Sequence, residues 1–234
     1  MLRVLGAFVA ALSFARGLNL LATTSHPSSQ LQMGLFDTIL EKPSPLGRGI
    51  TVANLQICFS NSSPLINNIK RIAPKSTNTP ASLSNFANSV CLELLRNEDE
   101  WVSASCSRDW FAIGDSGGAE RKFNTLVAKM GGRFDFEGSS SDDDDDEDEN
   151  DGGNLAVVSV VIEILGDTTT LKNCGSTLAS TREVITSIAS DVKVDYGEML
   201  NAAEIFWIPD KGGKKVGGFG MDEIKREFPE LIWF

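Results

Sequence analysis

The sequence predicts an α+β domain, a small mixed β-sheet covered by helices, with a disordered acidic insertion. Three observations lead there. Two β-branched, apolar runs, LAVVSVVIEIL at 155–165 and AEIFWIP at 203–209, read as strands. The segment 79–96 carries Leu83, Phe86, Val90 and Leu94 three and four residues apart, the spacing of one helix face. Between helix-like and strand-like stretches, residues 137–153 collapse into Gly, Ser and Asp, a composition that cannot bury a core.

Residues 1–36 contain no Asp or Glu. Arg3 precedes the apolar run VLGAFVAALSF, small residues follow at Ala15 and Gly17, and LNLLATTSHPSSQLQ is then rich in Ser and Thr. A charged start, short apolar core and small-residue exit make a secretory-type signal, and the acid-free continuation has transit-peptide composition. Together they resemble the bipartite address of algae whose plastids arose by secondary endosymbiosis; a plain secretory signal and a mitochondrial presequence are the alternatives on the same features. The apolar run is too short to span a bilayer, which takes roughly 20 residues. Residues 37–49 read as a linker because EKPSPLGRG cannot continue a helix. A single domain then fills 50–234.

Within it, Val52, Leu55, Ile57 and Phe59 form a strand-like or short helical run. Ser63 with Pro64 opens a helix that Pro74 closes. Thr79 caps the next helix, and Pro80 is its first residue. WVSASCSRDWFAI has strand character. GDSGG turns into a helix with Phe123, Leu126, Val127 and Met130 on its buried face. Leu171 to Ala189 reads as helical, packed through Leu178, Ile185 and Ile188. Pro209 ends the last firm strand, and MDEIKREF is a short helix. Trp101, Trp110 and Trp207 are expected in the core, as strand aromatics usually pack inside.

The chain has 21 basic and 32 acidic residues, a net charge of −11. Nine of the acids fall between Asp142 and Asp151, so the folded part is near neutral. The lack of a basic stripe argues against nucleic acid as the main partner, since phosphate neutralisation dominates that affinity. The acidic run also lacks the alternating ligands of a calcium loop: placing Gly152 at its glycine puts Val158 where the closing Glu belongs. Cys58, Cys91, Cys106 and Cys174 contain no C-x-x-C pair, and no zinc site is expected. Buried thiols are the favoured reading for them, with two disulfides as the alternative in an exported protein.

Residues 114–118, GDSGG, match the surroundings of the trypsin-like nucleophile and the G-x-S-x-G elbow. A serine there needs a general base, and the chain's single histidine, His26, lies in the targeting segment. A Ser116 hydrolase would have to use Lys122 or Lys129. The simpler reading is a glycine turn with Asp or Ser capping the next helix. The loop KGGKKVGGFG lacks the spacing of a phosphate-binding motif, and its glycine content favours a mobile surface loop. Its Lys211, Lys214 and Lys215 are the candidate interaction residues, for an acidic protein surface or for peripheral contact with lipid headgroups. The sequon at Asn61 reads as the start of a helix. No catalytic residue, metal or cofactor is expected.

Taken in order, residues 55–105, then Ala119-Glu120 with Phe123-Asn124, VVSVVIEILGD, the strand from Ala203 to Pro209, and Phe228-Pro229-Glu230-Leu231 form one pattern. It resembles a domain-of-unknown-function family of cyanobacteria and plastids that includes the plant fluctuating-light acclimation protein. The landmarks are Thr79-Pro80, Leu94-Leu95-Arg96 and Trp101, and the pattern covers about residues 50–234 apart from the acidic insertion. The resemblance implies a non-enzymatic plastid protein, stromal or associated with thylakoids, acting through protein contacts in photosynthetic acclimation. It brings no catalytic residues with it. The chain departs from the family in lacking the Gly/Ser-rich stretch and hydrophobic segment that often precede the domain. The alternatives are a secreted, disulfide-linked binding domain and the Ser116 hydrolase.

Overall fold

The computed structural model describes residues 44–60, 63–73, 79–134, 155–208 and 220–234. The expected targeting segment, most of the linker, the acidic insertion, and Lys211, Lys214 and Lys215 lie outside them. Strand β1 (Ile50–Phe59) is buried at every residue and forms the hub of a five-stranded sheet of order β4-β3-β1-β2-β5. Helices α1 (Ser63–Ile72) and α2 (Pro80–Arg96) lead to β2 (Trp101–Phe111). Helix α3 (Ser116–Phe134) leads to β3 (Ala156–Leu165), and α4 (Leu178–Asp191) to β4 (Leu200–Ile208). Helix α5 (Met221–Glu227) and the short β5 (Ile232–Trp233) complete the fold.

The α+β class and the helix-covered sheet are as the sequence predicts. The sheet itself is antiparallel at every pairing among the described residues, where a mixed one was expected. The cause lies in strand order. β2 and β3, joined through α3, do point the same way, as both run antiparallel to β1. β1 lies between them, so no parallel pair forms.

Helices cover both faces, which explains why β1 and β3 read as continuous apolar runs rather than alternating ones. On one face Leu55, Ile57, Phe59, Val158, Val160 and Ile162 meet α1, α2 and α4. On the other, Ile50, Val52, Val161 and Phe206 meet Ala119, Phe123, Leu126 and Met130 of α3. Farther along that second face, Cys58, Val157 and Ile208 meet Ile224, Phe228 and Leu231.

Helix α2 begins as its sequence dictates. Thr79 Oγ1 accepts from the Ser82 N–H at 3.3 Å, and Ser82 Oγ accepts from the Thr79 N–H at 3.2 Å. Its predicted face is buried, each large side chain contributing about 1.5–3 kcal/mol relative to exposure. Helix α4 starts later than Leu171. Asn173 and Gly175 take φ of 61° and 82°, incompatible with a right-handed helix, and Thr177 and Ser180 repeat the reciprocal cap. The delayed start puts Leu178 on the first turn, where it is exposed. Val184, Ile185 and Ile188 make the packed face.

Candidate functional site

β2 pairs with β1 along its whole length, but on its other side only Ser103 and Ala104 find a partner, in β5. The Phe234 N–H donates to Val102 O at 3.1 Å, which sets the phase of this outer side. The two-residue period then points the backbone N–H and C=O of Cys106, Arg108 and Trp110 away from β1. Among the described residues no strand covers them. Ser107, Arg108 and Trp110 are exposed. Among the described residues this is an open edge, of the kind that accepts an added strand.

Apolar side chains flank the edge. Ile232 stands opposite Ala104 at one end, and Trp110 lies six residues along β2 at the other, about 20 Å away. Both project from the same sheet face and are 49% exposed. Trp110 is not in the core as expected, because β2 outruns β5 and, among the described residues, no strand lies beside its far end. Trp101 and Trp207 are buried as expected. Trp110 is nonetheless fixed, because its indole N–H donates to Arg48 O at 3.0 Å and the ring lies against Gly49. Gly49 has φ +76°, and a Cβ there would strike the indole and Phe111 O. Arg108 and Asp109 interrupt the edge with charge, and Lys122 of α3 pairs with Asp109 at 3.0 Å.

Beneath α3 lies a second, buried polar layer. Ser105 Oγ donates to Gln56 Oε1 at 2.9 Å, and Ser159 Oγ donates to Asn54 Oδ1 at 2.7 Å. The Gln56 amide donates to Met130 Sδ at 3.2 Å, with Asn54 Nδ2 at 3.8 Å. Nearer β4, Glu163 and Glu204 face the same helix. Burial raises the Glu163 carboxyl; Asn201, donating at 2.9 Å, opposes this, and the charge of Glu120 adds to it. Burial pushes Glu204 up to about 7. Sequence reading missed both acids because it took their strands as apolar runs. The available signal was a carboxylate within a strand hydrophobic on both faces, where charge is costly.

Among the described residues neither expected base, Lys122 nor Lys129, is brought to Ser116. Ser116 is the first residue of α3, and Asp115 Oδ1 caps the helix by accepting from the Gly118 N–H at 3.1 Å. Lys122, six residues on, projects from another side of the helix and pairs with Asp109. Lys129, thirteen residues on, is about 20 Å along the axis. All four cysteines are free thiols; Cys58, Cys91 and Cys174 are buried, and Cys106 is half-buried. Among the described residues no group of acids and cysteines could hold a metal ion, and no helix is long and apolar enough to cross a membrane.

A family model described as "Protein of unknown function (DUF1517)" matches residues 49–234. No curated protein and no solved structure matches the chain.

Proposed function

The chain belongs to the DUF1517 family of proteins of unknown function, and from that premise we propose that it is a non-enzymatic plastid protein acting through protein contacts in acclimation to fluctuating light. The observation that carries the contact half is the open β2 edge, flanked by Ile232 and Trp110. A partner's extended segment would add as a further strand, its backbone meeting Cys106, Arg108 and Trp110 while alternate apolar side chains cover the two exposed residues. Arg108 and Asp109 suit an edge kept from indiscriminate pairing. The plastid half rests on the acid-free, Ser/Thr-rich start and on the resemblance in residues 50–234.

Contact with thylakoids would be peripheral, with Lys211, Lys214 and Lys215 as the candidate lipid-facing residues. Two experiments test the reading. A fluorescent protein fused to the C-terminus should coincide with chlorophyll in the source organism; signal in the secretory route would contradict the location. Loss of the gene should alter chlorophyll fluorescence under alternating light. An unchanged response would contradict the physiological role.

A further inference from the structure

We propose that Glu204 is a proton-operated latch that fastens α3 to the sheet when neutral and loosens it when ionised. Glu204 sits mid-strand in β4, opposite Val161 and flanked on its face by Ala202 and Phe206. Those three residues belong to the apolar cluster that Ala119, Phe123, Leu126 and Met130 of α3 complete. Glu204 is only 3% exposed, and its Oε2 has no hydrogen-bond partner. A carboxylate in that position would carry an unpaired charge inside a helix–sheet seam, which a protonated carboxyl does not.

The groups around it favour the neutral form. From β3, Glu163 lies diagonally across, opposite Ala202, and its Oε1 is already engaged by Asn201. From α3, the carboxylate of Glu120 acts on Glu163. Among the described residues no lysine or arginine pairs with Glu204, and burial alone accounts for its upward displacement. An apolar residue would fill the site at less cost. The acid therefore makes the seating of α3 depend on pH, a property that valine there would not confer.

The sign follows from the two states. Closed, Glu204 holds its proton up to about pH 7; with α3 lifted and the group in water, it releases it near its ordinary 4.5. Closure is then strongest below 4.5 and weakens as pH rises towards 7. Opening grows by up to about tenfold per pH unit across that window and levels off above it. The device does not depend on the proposed acclimation role.

Amide exchange in α3, corrected for its intrinsic pH dependence, reads the latch directly in the full chain. Between pH 5 and pH 8 protection in α3 should fall about a hundredfold in the wild type. In Glu204→Gln, which keeps the shape and cannot ionise, it should change less than threefold. Glu163→Gln should keep most of the wild-type response. The same pH profile in Glu204→Gln as in the wild type would overturn the proposal, as would a response abolished by Glu163→Gln instead. Should Glu204→Gln fold poorly, Glu204→Leu gives the same comparison, and retained pH dependence there would again overturn it.

Discussion

Arg133, on the last turn of α3, grips both carboxylate oxygens of Glu230 and lies 5.2 Å from the ring centroid of Phe228. One side chain thus ties the end of the helix to the C-terminal segment. Burial alone would raise Glu230. The hydrogen bonds from Arg133 and the backbone, with the charges of Arg133 and Lys129, outweigh it and hold the group below the usual range. A lowered carboxyl stabilises the fold above its unfolded value and loses that contribution as pH falls through the folded one. Arg133→Met should therefore cost about 1 kcal/mol at pH 7, a modest figure because the pair is partly exposed. Urea unfolding should show the gap closing as pH drops from 5 to 3.

Met130 is buried among amides as well as hydrocarbon. Met130→Ala should cost about 2–5 kcal/mol by leaving a cavity. Met130→Leu keeps the volume, yet removes the sulfur that Gln56 and Asn54 donate to. Its cost should exceed the small penalty of an ordinary Met-to-Leu change by about 1 kcal/mol. Denaturant midpoints of the two variants separate packing from hydrogen bonding.

The thiols should be inert in the native protein. Burial pushes Cys58 and Cys91 to about 12 and Cys174 to about 11. It also raises Cys106, with the neighbouring Cys174 adding to the effect and Arg108 opposing it. Iodoacetamide at pH 8 should modify the folded chain slowly and take up four equivalents in denaturant without reductant, as expected for four free thiols. Fewer than four before reduction would revive the disulfide-linked alternative.

Trp110 should account for most of the acrylamide-quenchable fluorescence, because Trp101 and Trp207 are buried and Trp233 is half-buried. Trp110→Ala should remove that component and change stability by less than about 1 kcal/mol. Gly49→Ala should disturb the same component more than its size suggests, since its Cβ would displace the indole.

What sequence conveyed depended on how local each cause was. Thr79-Pro80 and its helix were legible because capping and helical spacing act within a few residues. The antiparallel sheet was not, since it depends on β1 lying between β2 and β3. Trp110 illustrates the same limit: its exposure follows from how far β5 reaches along β2, a relationship between residues more than a hundred positions apart. The delayed start of α4 was partly legible, because Asn173, Gly175 and Thr177 are all helix-delaying residues. Glu204 was visible as a letter but not as a buried acid until α3 closed over it.

The proposed role turns on the edge of β2, and Arg108→Pro tests it most directly. Proline there removes an outward N–H and leaves the ladder to β1 in place, a substitution that sheet edges tolerate. Cells lacking the gene would be complemented with either form, and chlorophyll fluorescence followed under alternating light. The account predicts that the wild type restores the response and Arg108→Pro, equally abundant and folded, does not. Full restoration by Arg108→Pro would contradict it.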